Sequence, residues 1–192
     1  NNKSKLVLMI TVGCIPAILA GLLFNDFIET QIRSLVHVAT FMSIGSLLMY
    51  ISEKYFSKNK DVVLEEKITY QKAGIIGLFQ AFALLPGISR SGSTISAGMF
   101  SGLSREDAAK FSFLMSVPIT LLATFYEVFK NYHLLLESNL MLAFIGFISS
   151  FISGVICIRF LLDYLKSHSL ILFVVYRMII VSICVYFIAS SL

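Results

Sequence analysis

Charged side chains are scarce in this 192-residue sequence, and tryptophan is absent. Asp, Glu, Lys and Arg together make up 14% of the residues, whereas hydrophobic residues make up 57%, and the mean hydropathy is +0.87. A soluble domain carries about a quarter charged residues. This shortage of charge excludes a disordered chain and a conventional soluble enzyme, and it predicts an integral membrane protein.

Cysteine is also rare, and the sequence contains no CxxC motif and no Cys/His spacing typical of zinc sites. The three cysteines, Cys14, Cys157 and Cys184, each lie within an apolar run. A disulfide scaffold is therefore excluded, and the thiols are interpreted as small buried hydrophobic groups. The 15 basic residues outnumber the 11 acidic ones, but they are scattered along the chain, so no nucleic-acid partner is expected.

Five apolar runs are long enough, or nearly so, to cross a bilayer as helices, which need about 17–25 residues. The alternating pattern of barrel strands is absent, and a backbone in lipid must satisfy its own hydrogen bonds, so these runs are predicted to be helical. The predicted fold class is an all-α polytopic membrane bundle, with residues 1–192 forming one integral membrane domain. The predicted spans are Leu6–Phe24, Leu35–Ile51, Phe111–Phe129, Leu140–Leu162 and Leu170–Leu192.

The stretch Ala73–Leu103 has a different pattern, in which two short apolar pieces flank a polar break. Ala73–Leu85 is too short to cross a bilayer, Pro86 and Gly87 interrupt it, and the polar tract Ser89–Thr94 follows. This pattern predicts a re-entrant helical hairpin. Its break should line a cavity, because irregular backbone at membrane depth needs hydrogen-bond partners.

The distribution of basic residues predicts the orientation of the bundle. With five crossings and a hairpin that returns to its own side, eleven basic residues fall on one side of the membrane and two on the other. Cytoplasmic loops carry an excess of Lys and Arg, so the N-terminus of the chain is predicted to be cytoplasmic and the C-terminus outside. The larger set is Lys3, Lys5, Lys54, Lys58, Lys60, Lys67, Lys72, Arg105, Lys110, Arg159 and Lys166, and the smaller is Arg33 and Lys130.

Arg90 is the most unusual residue of the polar tract, because an isolated arginine in the hydrocarbon region costs at least about 2.5 kcal/mol. Its planar guanidinium suits a phosphate or a carboxylate. Gly87 and Gly92 permit close backbone approach, and a helix expected to start near Ser93 directs its free N–H groups to the same place. These features predict an anion site made of Ser89, Arg90, Ser91, Gly92, Ser93 and Thr94.

A purely structural interpretation of the tract stays open, since Ser and Thr after a Pro-Gly break can cap a helix and Arg90 can pair with an internal acid. Arg177 lies in the last predicted span. It is either a second phosphate contact or bonded to a structural partner. Glu127, near the outer end of its span, is either that partner or a solvated residue. The sequence offers no acidic pair at membrane depth, although hydrolysis of a diphosphate normally uses a divalent metal or a general base.

The segment Leu85–Ile95 resembles the second signature of the undecaprenyl-diphosphate phosphatase family, the bacitracin-resistance proteins of bacterial membranes. The family pattern is P-G-x-S-R-S-G-[AS]-T, and the chain reads P-G-I-S-R-S-G-S-T from Pro86 to Thr94. The similarity extends to Gln80–Leu84, Ser104–Arg105, Phe111–Leu114, Val117–Pro118, Ile15–Ala17, Gly21–Phe24 and Tyr176–Arg177.

This resemblance implies an enzyme of the bacterial cell membrane that hydrolyses undecaprenyl diphosphate to undecaprenyl phosphate and phosphate. Such an enzyme recycles the lipid carrier for peptidoglycan synthesis and confers bacitracin resistance. The implied partners are undecaprenyl diphosphate and the lipid bilayer, with a homo-oligomer left open. In the family, the serine, arginine and threonine of the signature belong to the active site. They match Ser89, Arg90 and Thr94, and the predicted phosphate-binding set is Ser91, Gly92, Ser93 and Arg177.

The first signature of the family, E-x-x-x-E-F-L-P-V-S-S-T-G-H, does not occur in this sequence. The resemblance implies a divalent metal, Mg²⁺ or Ca²⁺, whose expected ligands belong to that signature, so no metal ligand is predicted here. We expect the chain to be the C-terminal portion of a longer protein and to turn over little substrate alone. The alternative function is a membrane carrier for a lipid phosphate or another anion, because broken helices around an anion also occur in transporters.

Overall fold

The computed structural model describes residues 2–56, 68–133 and 140–190. The described residues contain no β-strand, and seven helices of 11 residues or more account for most of them. The all-α prediction is therefore confirmed. The helices are α1 Asn2–Gln31, α2 Leu35–Phe56, α3 Tyr70–Phe82, α4 Arg90–Phe100, α5 Arg105–Lys130, α6 Leu140–Ser167 and α7 Ile171–Ser190.

Five of these helices, α1, α2, α5, α6 and α7, are long and apolar enough to cross a membrane, as the sequence predicts. Four of them, α1, α2, α5 and α6, extend beyond the predicted apolar runs at one or both ends, because polar residues continue or cap them, whereas α7 begins at Ile171, one residue after the predicted start. α5 begins at Arg105 rather than at Phe111, since the Ser104 hydroxyl accepts a hydrogen bond from the N–H of Asp107. Glu106 also lies in this first turn, where a carboxylate favours the helix dipole.

The two short helices α3 and α4, of 13 and 11 residues, stand where the hairpin is predicted. At 1.5 Å per residue neither is long enough to cross a bilayer. The turn 83–89 joins them, and the two helices pack against each other. α3 also packs on α1, whereas α4 lies between α2 and α5 and is buried over Gly92–Met99. The hairpin therefore carries the polar tract into the centre of the bundle.

The last two helices diverge from each other. α6 packs against α5, whereas α7 packs against α2. Near their connection, the rings of Tyr164 and Phe173 meet edge to face. In the same region the Glu53 carboxylate accepts hydrogen bonds from the Arg105 guanidinium and from the N–H of Leu170. These bonds join α2, α5 and the α6–α7 connection.

Most of the predicted polar loop Ser52–Lys72 lies outside the described residues, which resume at Ile68. Its first residues continue α2 to Phe56. The three cysteines are free thiols. Cys14 is buried, as the sequence predicts, whereas Cys157 is exposed and Cys184 is partly buried, so the prediction of buried thiols is wrong for these two.

Candidate functional site

The turn between α3 and α4 ends in an unusual backbone conformation at Ser89. This residue has φ 78° and ψ 109°, and it is the non-glycine residue with a positive φ among those that the structure describes. Such a conformation costs on the order of 1–3 kcal/mol and persists only where surrounding contacts hold it. The strain marks Ser89 as a functional candidate, and the contacts around it identify the residues that support the site.

Two glycines allow this turn to lie directly against α2. Gly87 has φ 105°, and a Cβ atom at this position would lie 2.5 Å from the carbonyl oxygen of Val38. Gly45 of α2 faces the turn in the same way, because a Cβ atom there would overlap the carbonyl oxygen of Ile88. A side chain at either position would push the turn, and with it Ser89, away from α2.

Arg177 of α7 holds the same turn through its guanidinium group. Its Nη2 donates to the carbonyl oxygens of Gly87 at 2.5 Å, Ile88 at 3.1 Å and Met42 at 3.0 Å. Its Nε donates to the hydroxyl of Ser46 at 2.9 Å. Arg177 is only 8% exposed, and all these partners are neutral. The positive charge is therefore buried without an Asp or Glu partner among the described residues.

α4 begins at Arg90, earlier than the predicted start near Ser93, because Ser89 caps it. The Ser89 hydroxyl accepts a hydrogen bond from the N–H of Gly92 at 3.2 Å, and its carbonyl accepts one from the N–H of Ser93 at 2.9 Å. The first N–H groups of a helix have no partner within the helix. The N–H groups of Arg90 and Ser91 therefore point out of the helix end, where an anion binds favourably.

Ser93 and Thr94 point into the bundle, where each is 1% exposed. The Ser93 hydroxyl donates to the carbonyl of Phe79 in α3 at 3.0 Å. The Thr94 hydroxyl donates to the carbonyl of Arg90 at 2.9 Å and shares a 2.6 Å hydrogen bond with Ser112 of α5. Both hydroxyls join α4 to neighbouring helices, and direct contact with a phosphate would require these bonds to break.

Arg90 is exposed, in contrast to Arg177, and its side chain extends toward α5. Its Nη1 donates to the hydroxyl of Thr120 at 3.2 Å. This neutral hydroxyl does not cancel the charge, so the guanidinium retains donors for an anion. Sequence reasoning missed Thr120, although a polar residue shortly after Pro118 in an apolar span is a usable signal.

A cavity of about 260 Å³ lies between α2, α4, α6 and α7. Ser89, Ser91 and Arg177 form its polar part. Ser89 is the last residue of the turn, so the polar break lines a cavity, as the sequence predicts. The apolar wall includes Met42, Met49, Ile95, Leu161, Leu165 and Ile180. The structure therefore brings four of the predicted site residues, Ser89, Ser91, Gly92 and Arg177, to one cavity and directs Arg90 to α5.

The partners of Arg177 were not apparent from the sequence. Arg177 bonds Ser46 and backbone carbonyls and makes no ion pair with the candidate acid, Glu127, among the described residues, so the predicted pairing is wrong; Glu127 accepts a hydrogen bond from the side chain of Asn131 at 2.9 Å. Ser46 is the polar partner that was missed, and its signal is the small pair Gly45–Ser46 within an apolar span, where close helix packing is favoured. The carbonyl acceptors have no sequence signal, because every residue carries one.

Comparison with known families gives a match over nearly the whole chain. Residues 1–183 match the family model described as bacitracin resistance protein BacA. The chain belongs to the BacA family. The matched range of this BacA chain contains the whole hairpin, with Ser89 and Arg90, and also Arg177.

Several curated relatives of this BacA chain are named undecaprenyl-diphosphatase. The protein of Chlorobium limicola is 41% identical over 185 residues, which cover 93% of this chain and 65% of the relative. The protein of Thermodesulfovibrio yellowstonii is 43% identical, with coverage of 92% and 66%. The protein of Staphylococcus haemolyticus is 38% identical, with coverage of 92% and 61%. The BacA chain thus spans about two thirds of the length of these relatives.

The divalent metal implied by the BacA resemblance has no fitting site in the part of the chain that the structure describes. There, no group of three or more His, Cys, Asp or Glu side chains could hold a metal ion. Glu53, an acid with a largely buried side chain, is bonded to Arg105. What the described BacA residues can do is bind and orient an anion through two guanidinium groups, serine hydroxyls and helix N–H groups.

Proposed function

We propose that the protein is an undecaprenyl-diphosphate phosphatase and that this chain carries residues that bind the diphosphate. The observation that carries the proposal is the start of α4, where the exposed guanidinium of Arg90 adjoins outward-pointing N–H groups. The proposal draws the substrate from relatives named undecaprenyl-diphosphatase. In this role the protein recycles the lipid carrier for peptidoglycan synthesis and confers bacitracin resistance.

The proposed reaction breaks the bond between the terminal phosphorus and the bridging oxygen, and water supplies the new oxygen of the released phosphate. Arg90 and the N–H groups of Arg90 and Ser91 hold the terminal phosphate oxygens and stabilise the negative charge that develops there. Ser89 adds a hydroxyl donor. Thr94 acts by fixing the first turn of α4, through its bonds to the Arg90 carbonyl and to Ser112.

Phosphate release in liposomes tests this proposal. The protein encoded by the complete reading frame, given undecaprenyl diphosphate, should release inorganic phosphate and leave undecaprenyl phosphate. Labelled lipid diphosphate that crosses the bilayer with no phosphate release would instead support a carrier, since a broken hairpin around an anion site is also a transporter feature. If neither phosphate release nor transfer of the lipid occurred, both functions would be overturned.

We infer that this multi-pass protein lies in a bacterial cell membrane with the N-terminus of the chain in the cytoplasm and its C-terminus outside. The inference rests on the unequal division of basic residues between the two sides. Lys130 at the end of α5 and Lys166 at the end of α6 are a matched pair at opposite sides of the membrane.

Cysteine labelling in intact cells tests the orientation. After Cys14, Cys157 and Cys184 are replaced, Lys130→Cys should react with a membrane-impermeant maleimide added outside. Lys166→Cys should react only after the cells are permeabilised, because it lies on the basic, cytoplasmic side. The opposite labelling pattern would reverse the orientation.

A further inference from the structure

We propose that the cavity between α2, α4, α6 and α7 holds the lipid-proximal phosphate of the diphosphate and the first part of its hydrocarbon chain. This inference rests on the proposed function, because it assigns the lipid half of the same substrate. It extends the site from the start of α4 to the cavity wall that α6 and α7 contribute.

The polar end of the cavity has an uncompensated positive charge. Arg177 lines the cavity and is 8% exposed. Its Nε and Nη2 bond the turn and α2, whereas its Nη1 has no hydrogen-bond partner among the described residues. A buried charge held only by neutral groups is costly unless an anion pairs with it. Ser89 and Ser91 lie at the same end and can donate to phosphate oxygens.

The rest of the cavity suits a hydrocarbon chain. Met42 and Met49 of α2, Ile95 of α4 and Leu161 and Leu165 of α6 contribute to its wall. Each CH₂ group of a ligand that leaves water for such a surface contributes about 0.8 kcal/mol. A lipid that carries a phosphate at one end and a hydrocarbon chain at the other matches this division.

The position of the cavity gives the chain a path into the bilayer. Its volume of about 260 Å³ is below the roughly 300–1,000 Å³ of pockets that enclose most of a drug-sized ligand. It therefore has room for only the beginning of a long lipid. Because α6 packs on α5 and α7 packs on α2, we place the remainder of the chain between α6 and α7, on its way to the bilayer.

The two arginines lie at the start of α4 but contact different neighbouring elements. Arg90 extends along α5 to Thr120, whereas Arg177 reaches the turn from α7. This arrangement assigns the terminal phosphate to Arg90 and the lipid-proximal phosphate to Arg177. Two phosphates joined by one oxygen would then lie across the end of a single helix, where the helix dipole favours both.

Photo-crosslinking locates the chain without depending on turnover. The protein from the complete reading frame is irradiated with an isoprenoid diphosphate that carries a diazirine on its first unit. Tandem mass spectrometry that assigns the label to single residues should find it on Leu161, Leu165 or Ile180 of the cavity wall. Label confined to outward-facing positions such as Phe160, which is 67% exposed, would overturn the inference.

Two tryptophan variants test the same site kinetically. Leu161→Trp narrows the cavity and should raise KM for a long-chain lipid diphosphate about tenfold, equivalent to losing the burial of about two CH₂ groups, with little change in kcat. Phe160→Trp, on the neighbouring lipid-facing position, should leave both constants unchanged. Equal KM values for the two variants and the unsubstituted protein would also overturn the inference.

The two proposals fail in different ways. Label on the cavity wall with no phosphate release would leave the lipid site standing and refute the phosphatase. Phosphate release with label only on outward-facing residues would support the phosphatase and refute the lipid site in the cavity.

Discussion

Replacing Arg90 by alanine is expected to reduce the rate of phosphate release from undecaprenyl diphosphate by at least about 100-fold, by analogy with the loss of one oxyanion donor. The guanidinium is exposed at the start of α4 and bonded to the neutral Thr120, so its charge is available to the terminal phosphate. The measurement is the initial rate of phosphate release by the protein from the complete reading frame in liposomes.

Two further variants show whether the rate depends on the guanidinium group of Arg90 itself. One keeps a positive charge at this position, and the other removes an arginine elsewhere. Arg90→Lys should also be poor, because one ammonium group cannot reproduce the planar fork of donors. Arg159→Ala removes an exposed arginine from α6, far along the chain from the hairpin, and should retain the original rate. A rate for Arg90→Ala close to that of Arg159→Ala would contradict the assigned role.

Replacing Arg177 by methionine should lower the free energy of unfolding by about 3 kcal/mol, because the lost hydrogen bonds outweigh the gain from removing a buried unpaired charge. The substitution keeps an apolar stem but removes four hydrogen bonds to the turn and to α2. It also leaves the carbonyls of Gly87 and Ile88 without this donor, and unpaired buried carbonyls cost more than the bond itself contributes. Reversible unfolding in detergent micelles measures the change, and Arg159→Met is the exposed control.

Glycine substitutions test the same contact from α2. Gly45→Ala should also destabilise the protein, because its Cβ atom would overlap the carbonyl of Ile88. Gly154→Ala on α6 is the matched control, because a Cβ atom there meets nothing within 4 Å and alanine favours a helix interior by about 0.5–1 kcal/mol. If Gly45→Ala and Arg177→Met were both as stable as their controls, the turn would not depend on this contact.

The membrane spans could be predicted from the sequence because each is decided locally. An uninterrupted apolar run must satisfy its backbone within itself once it lies in lipid, so length and composition are sufficient. The ends were less accurate, as with α5, whose start depends on the cap at Ser104. The hairpin was also predictable, because Pro86 and Gly87 divide its apolar sequence into two pieces that are each too short to cross.

The interior of the site was only partly predictable. Five polar residues and a glycine in one tract indicate an anion site, but they do not show which hydroxyls face it. Once the helix starts at Arg90, successive residues point about 100° apart, and Ser93 and Thr94 turn into the packing against α3 and α5. The register of a single helix therefore separates residues that the sequence presents as one group.

The sequence by itself determined that this is an all-α membrane protein with a broken hairpin and that Arg90 lies in its polar break. These properties follow from composition, from proline and glycine, and from the high cost of unpaired charge in lipid. Only the tertiary structure decided that Arg177, in α7, donates hydrogen bonds to the turn before Ser89 and lines the cavity. The bonds of Arg177 go to backbone carbonyls, and the turn lies against α2 only because Gly45 and Gly87 allow a close approach. Both contacts form only when segments that are distant in the sequence pack together.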